Sequence, residues 1–117
     1  MSTVALLPVV RCFLQADHGH FIDGSSMASS SSGKIPVVDP ANGEVIAHVS
    51  EASQVDIERA VESSKRGFKR WSKTSPAGRA AVLFKLADLL EQHREELAQL
   101  ETCQSGKIIQ LARTFEV

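Results

Sequence analysis

Ile35-Pro36-Val37-Val38-Asp39-Pro40-Ala41-Asn42-Gly43-Glu44-Val45-Ile46-Ala47-His48-Val49 is the stretch that decides the fold. Its first four residues are β-branched apart from Pro36, and its middle is dense in turn formers. From Glu44 an alternation sets Val45, Ala47 and Val49 on one face. Two paired strands are expected, over residues 35–38 and 44–49. Asn42-Gly43 favours positive φ and suits a tight reversal whose twist matches the flanking strands. Pro36 has no N–H to give, so its strand is expected to carry an unpaired edge.

Upstream, Phe21-Ile22-Asp23-Gly24 has the apolar pair and glycine stop of a short strand. Residues 25–33 are almost wholly Ser, Gly and Ala, too polar and entropically loose for a core element, and read as a loop. Residues 1–20 read as a disordered leader. The apolar run from Val4 to Leu14 is interrupted by Pro8 and Arg11, follows no basic residue and lacks a small-residue cleavage site, so it is a poor secretory signal. The first sixteen residues also lack acidic side chains, which leaves organelle targeting as an alternative to a cytoplasmic location.

Downstream the period changes from two to three and four. Ile57, Ala60, Val61, Ser64, Phe68 and Trp71 share one helical face, and Glu58, Arg59, Glu62, Lys65, Arg66 and Lys69 occupy the other. Ser53 is a suitable N-cap with Asp56 three residues on, a short-armed capping box. The late cluster Lys65, Arg66, Lys69 and Arg70 complements the helix dipole without invoking nucleic acid. Ser75-Pro76 starts a second, longer helix, because proline at the first helical position gives up a donor that has no partner there. Leu83, Leu86, Ala87, Leu90, Leu97 and Leu100 continue its stripe, and Gly106 marks its expected end. A third stripe follows in Ile108, Leu111, Ala112 and Phe115 and runs without a cap into Val117. These faces need a facing layer that so few elements do not supply to one another. The fold class is α/β: short strands and a hairpin, then two long amphipathic helices and the start of a third.

At 117 residues, 43% hydrophobic and with a net charge of −1, the chain is one domain's worth of ordinary polypeptide. Near-neutral charge suggests no nucleic-acid or membrane-surface partner, and no run reaches the ~20 apolar residues of a spanning helix. Cys12 and Cys103 lie in no metal-ligand spacing and read as reduced thiols. His18 and His20 beside Asp17 are fewer than the converging ligands a metal site needs. Neither a Rossmann GxGxxG nor a Walker loop is present; Ser105-Gly106-Lys107 reads as a helix end. Cys103 precedes a helix start, where a thiolate can be stabilised, but His93 is badly placed to serve it as a base. Glu95, Glu96 and Glu101 read as a solvated face.

Taken in order, several segments together resemble the opening of the aldehyde dehydrogenase superfamily. The first are Phe21-Ile22-Asp23-Gly24, Ser32-Gly33-Lys34, Val38-Asp39-Pro40-Ala41-Asn42-Gly43-Glu44-Val45-Ile46-Ala47 and Trp71. Ser75-Pro76-Ala77-Gly78-Arg79, Leu86-Ala87-Asp88-Leu89-Leu90, Arg94-Glu95-Glu96-Leu97-Ala98, Leu100-Glu101-Thr102 and Ser105-Gly106-Lys107 continue the series. The resemblance is nearest the branch acting on betaine aldehyde, aminoaldehydes and semialdehydes. Three departures stand out: Ser26 where many members place Trp, Gly78 in place of a helix-opening Glu, and Ile108 in place of Pro.

The resemblance implies the N-terminal part of a dinucleotide-binding domain over residues 21–117. The enzyme it implies is an oligomer that oxidises an aldehyde to an acid with NAD or NADP. In that family a Cys attacks the aldehyde, hydride passes to the dinucleotide and a Glu activates water. None of those residues, nor any that grips the dinucleotide, matches a position here, so the chain alone is expected to be inactive. The resemblance also implies a monovalent cation held by the carbonyls of Val37 and Val38 and, where the family has an Asp, by Gln104; the loss of that charge weakens the site. The contrasting expectation is a small helical module that binds a partner protein, the full-length enzyme included.

Overall fold

The computed structural model describes residues 5–116, with side chains to Thr114, so the side chain of Phe115 lies outside the described residues. The architecture is α/β. Helix α1 (Pro8–Gln15) is followed by strands β1 (His20–Ile22), β2 (Ser25–Met27), β3 (Lys34–Val38) and β4 (Val45–Ser50). Helices α2 (Gln54–Trp71), α3 (Pro76–Gln92), α4 (Arg94–Ser105) and the single turn α5 (Ile109–Leu111) come next, and a π-helical turn, Ala112–Glu116, ends the order. The chain divides into two compact units. One comprises residues 1–16, 36–47 and 86–117, the other residues 17–35 and 48–85.

The expectation of a disordered leader does not fit residues 8–15, which form α1. Pro8 is the first helical residue, where its missing N–H costs nothing, so it opens the helix rather than breaking an apolar run. The helix docks within the first unit: the Leu7 N–H donates to Gln99 Oε1 at 2.8 Å and Val10 is fully buried.

The loop expected over residues 25–33 also needs correction at its start. Ser25–Met27 pairs antiparallel with β1, in the register His20↔Met27, Phe21↔Ser26, Ile22↔Ser25. The turn between them is Asp23-Gly24, both at positive φ (57° and 78°), the pattern of a two-residue reversal matched to strand twist.

Strands β3 and β4 pair as expected, and so short a connection allows only an antiparallel hairpin. The reversal differs from the expected Asn-Gly turn. Gly43 alone is left-handed there, at φ 77°. The Asp39 N–H donates to the Glu44 carbonyl at 2.8 Å and the Gly43 N–H donates back to the Asp39 carbonyl at 2.8 Å, which closes a four-residue loop.

Both sides of the capping box form at α2. The Asp56 N–H donates to Ser53 Oγ at 3.2 Å, and the Ser53 N–H donates to Asp56 Oδ2 at 3.0 Å. At α3 the Gly78 N–H donates to Ser75 Oγ at 3.1 Å, so Ser75 caps the helix that Pro76 opens. The one long helix expected from Ser75 to Gly106 is instead two, because His93 leaves helical geometry (φ −105°, ψ 15°) and α4 starts anew. Gly106 ends α4 in the left-handed conformation, its N–H donating to the Thr102 carbonyl at 3.0 Å. The third helix keeps α-geometry for one turn only, then widens into the π turn.

Among the described residues the buried apolar set is small: Val10, Ala47, Ala98 and Ala112. α3 buries none of its residues. Phe68, Phe84 and Ile108 are 70%, 73% and 63% exposed, and Leu83, Leu86, Leu90 and Leu111 are exposed as well. Of the helical stripes read from the sequence, Ile57, Val61, Phe68 and Trp71 and the α3 leucines lack cover among these residues, whereas Leu97 and Leu100 are half-buried and Ala112 is buried.

Candidate functional site

The first unit brings the β3–β4 loop against the last turn of α4, and this is where the family-implied cation ligands fall. Gly106 marks the contact. A Cβ built on it would stand 2.8 Å from Pro40 Cγ, so glycine serves here both for its φ and for the approach of the loop. Asp39 lies close enough to Cys103 to act on its thiol. Burial pushes the Cys103 pKa up and the Asp39 carboxylate pushes it further, which keeps the sulfur protonated and poorly nucleophilic. Val37 and Val38 immediately precede this loop, and Gln104 lies between Cys103 and Gly106. The neighbours of all three proposed ligands therefore meet.

The nearby side chains hold little charge in reserve. Asp39 Oδ1 accepts the Ala41 N–H at 2.8 Å, and the Glu101 carboxylate pairs with Lys107 Nζ at 3.3 Å. Gln104 is exposed. Thr102 Oγ1 is buried with no hydrogen-bond partner, but two residues apart on a helix it does not share a side with Gln104. Carbonyls and a neutral amide are ligands suited to a weakly held monovalent ion, not to a divalent one that needs carboxylates.

The other candidates stay apart. Among the described residues no group of three or more His, Cys, Asp or Glu side chains could hold a metal. Asp17 pairs with Lys34, and His20 Nε2 lies 3.7 Å from Asp56 Oδ2. His93 Nδ1 lies 3.1 Å from Glu96 Oε2 at the start of α4, engaged there rather than with Cys103. Each carboxylate read as a solvated face has its own partner. Glu95 takes a two-pronged grip from Arg113, Nε at 2.7 Å and Nη2 at 2.6 Å, and that bond followed by one from Gln99 brings its pKa down to about 2. No acid/base pair results.

Two polar networks escaped the sequence reading. Asp56 is buried and gathers the hydroxyls of Ser29, Ser30 and Ser53 at 3.0, 3.0 and 2.9 Å; the Ser53 backbone N–H first, and then these hydroxyls, hold its carboxyl well below the usual range. The Ser-rich segment is thereby pinned to the start of α2. The capping box was the only local signal of this network. In the other unit a relay runs from the Leu7 N–H through Gln99 to Glu95 and Arg113, with Gln99 Nε2 donating to Glu95 Oε1 at 2.8 Å. Its ends are 106 residues apart in the chain, and no local pattern announces it. An open groove of 340 Å³ between α1 and the α3–α4 region is lined mainly by apolar residues, Val9, Phe13, Leu90 and Leu97 among them, together with His93 and Glu96. Its two titratable groups are bonded to each other, which leaves it no uncommitted polar group to carry chemistry.

A sequence model described as the aldehyde dehydrogenase family matches residues 27–117. The chain belongs to the aldehyde dehydrogenase family. It is 40% identical over 119 aligned positions to aldehyde dehydrogenase family 2 member B4, mitochondrial, of Arabidopsis thaliana, a match covering 99% of this chain and 22% of that one. It is 46% identical over 98 residues to 2-aminomuconic semialdehyde dehydrogenase of Bos taurus, covering 84% of this chain and 20% of the relative. Among solved structures, the NAD+ complex of aldehyde dehydrogenase from Bacillus cereus superimposes with a TM-score of 0.90 at 37% identity, over 97% of this chain and 24% of that one. The chain thus spans about a fifth to a quarter of the length of these aldehyde dehydrogenases, as an N-terminal portion. The similarity to the Arabidopsis relative runs over nearly the whole chain and so takes in α1, which precedes the family-matched residues. These matches lend no support to a small interaction module.

Proposed function

We propose that these residues are scaffold for an NAD(P)-dependent aldehyde dehydrogenase, an enzyme that oxidises an aldehyde to a carboxylic acid and works as a homo-oligomer at full length. The family match over residues 27–117 carries the reading, and the uncovered apolar stripes agree with it. When bound, NAD(P) supplies the hydride acceptor. The thiol nucleophile, the water-activating carboxylate and the groups that grip the dinucleotide are assigned to no position of this chain. The raised pKa of Cys103 and the engagement of His93 elsewhere argue against Cys103 as the nucleophile.

Similarity to a semialdehyde dehydrogenase at 46% identity supports the semialdehyde branch for the substrate. Val37, Val38 and Gln104 are the proposed ligands of a weakly held monovalent cation with a structural role. No helix among the described residues is long and apolar enough to cross a membrane. A cytoplasmic location is proposed, with import into an organelle the alternative that the mitochondrial relative raises.

The test is direct. The 117-residue chain is incubated with a series of aldehydes and either dinucleotide, and no NAD(P)H is expected above the blank. Aldehyde-dependent NAD(P)H formation would overturn the scaffold reading.

A further inference from the structure

The loop that joins β3 to β4 carries a chemical liability at Asn42-Gly43. Both residues are exposed, and a glycine on the C-terminal side leaves nothing to crowd an approach to the asparagine side chain. In such a pair the Gly43 amide nitrogen can attack Asn42 Cγ. A N–Cγ bond forms, the Cγ–Nδ2 bond breaks, and ammonia leaves with the proton lost from the Gly43 N–H. Water then opens the resulting succinimide at either carbonyl and leaves aspartate or isoaspartate at position 42. One water enters and one ammonia departs, with no oxidant or co-reactant.

The folded loop ties up both partners in that reaction. The nucleophile's N–H donates to the Asp39 carbonyl at 2.8 Å. The electrophile is held at both ends by one residue: Asn42 Oδ1 accepts the Glu44 N–H at 2.9 Å, and Asn42 Nδ2 donates to Glu44 Oε2 at 3.1 Å. Attack requires the Gly43 N–H to be released and the Asn42 side chain to turn, so these bonds must open first. The product is also disfavoured in place, because a carboxylate at position 42 would face the Glu44 carboxylate where an amide donor stood.

We propose that Asn42-Gly43 is a latent deamidation site that its own loop holds closed, with Glu44 as the residue that guards it. Once opened and modified, the loop does not reclose in its original form.

The experiment compares the full chain with a free linear peptide of residues 36–48 at mildly alkaline pH and 37 °C. Deamidation at position 42 is read by peptide mapping and mass spectrometry, and exchange protection of the Gly43 amide is read on the same chain. The intact chain is expected to deamidate roughly tenfold more slowly than the peptide, the factor that ~1.4 kcal/mol of barrier produces. Glu44→Ala, which removes the acceptor for Asn42 Nδ2 but keeps the backbone bonds of Gly43 and of position 44, is expected to raise the chain's rate part of the way toward the peptide's, and Glu44→Gln, which keeps an oxygen acceptor for Asn42 Nδ2, to stay near the original. Equal rates in chain and peptide would overturn the proposal, whether the Gly43 amide is protected or not. A Glu44→Ala chain as slow as the unaltered one would remove Glu44 from it.

Discussion

Replacing Gly106 by alanine separates two effects that coincide at this position, and Gly43 provides the control. Both glycines are left-handed, at φ 73° and 77°. A Cβ in that conformation costs about 1–2 kcal/mol, offset by roughly 0.4–1 kcal/mol from the smaller freedom of the unfolded alanine chain. At Gly43 nothing lies within 4 Å of the added carbon, so the backbone effect is the whole effect. At Gly106 the carbon would stand 2.8 Å from Pro40 Cγ, closer than packed carbons tolerate. The neighbour is a rigid ring rather than the end of a flexible side chain. Relief therefore requires the loop to move away from α4, at a cost of about 1–3 kcal/mol. Gly43→Ala is expected to lose up to about 1.5 kcal/mol, and Gly106→Ala about 1–4.5 kcal/mol, larger by the about 1–3 kcal/mol of the clash. Urea titration of the full chain, followed by helical circular dichroism with both variants at matched concentration, measures the difference. Equal losses in the two variants would show that Pro40 does not rest on the end of α4, and the meeting of the β3–β4 loop with residues 103–106 would fail with it.

Further outcomes follow from individual side chains. Glu95 has its pKa lowered to about 2 by Arg113 and then Gln99, so its bond to Arg113 stabilises the chain above the ordinary glutamate range near 4.5 and is lost as pH falls from there through about 2. Because both side chains are some 40% exposed, the loss should stay below about 1 kcal/mol; Glu95→Gln should flatten that part of the pH–stability curve, and an unchanged slope would contradict the pairing. Ser53→Ala removes the cap of α2 and should cost about 0.5–2 kcal/mol, read as the same urea midpoint shift, with no loss counting against the capping box. Cys12 is exposed and Cys103 half-buried with its pKa raised. A maleimide at neutral pH should therefore label Cys12 at least about ten times faster, and faster labelling of Cys103 would reverse that environment. Leu83 is exposed on α3, so Leu83→Ala should change stability by no more than about 0.5 kcal/mol in this chain; a loss of 2 kcal/mol or more would reveal cover over that stripe.

What the sequence disclosed was local in the chain. Ser53 and Asp56 face each other three residues apart, Ser75 and Pro76 open α3, and Gly106 closes α4. Each is a helix end, fixed by backbone groups within one turn. Pro8 carried the same signal as Pro76 and was read as a breaker. The difference lay in what makes the helix worth forming, because α1 is held by Gln99, far along the chain. β2 was hidden by its composition: Ser25 and Ser26 look like loop, and the stronger clue was the Asp23-Gly24 pair, whose conformation brings any two flanking segments together. The break at His93 has neither glycine nor proline to announce it. The proposed cation ligands rest on family resemblance alone, since backbone carbonyls leave no trace in residue type.

The apolar stripes show why a face can be legible while its partner is not. Periodicity reports which side of a helix is the more apolar, but it is silent on what that side meets, and on α3 the exposed Val82, Leu83, Phe84, Leu86, Leu89 and Leu90 do not fall on one side. The described residues answer with three alanines and a single valine as their buried apolar set. Alanine burial supplies little of the driving force that a leucine or phenylalanine stripe is built to provide, because the gain scales with apolar area removed from water. Helix α3 places Leu83, Phe84, Leu86 and Leu90 in solvent. A helix of that composition has weak reason to be rigid unless another layer covers it. Relatives four to five times longer, of which this chain superimposes on a quarter or less, contain sequence enough for such a layer. The polar contacts that do close within these residues, at Asp56 and along Gln99, Glu95 and Arg113, fix local geometry. The stability of the whole arrangement is expected to rest on apolar burial that these residues begin and do not complete.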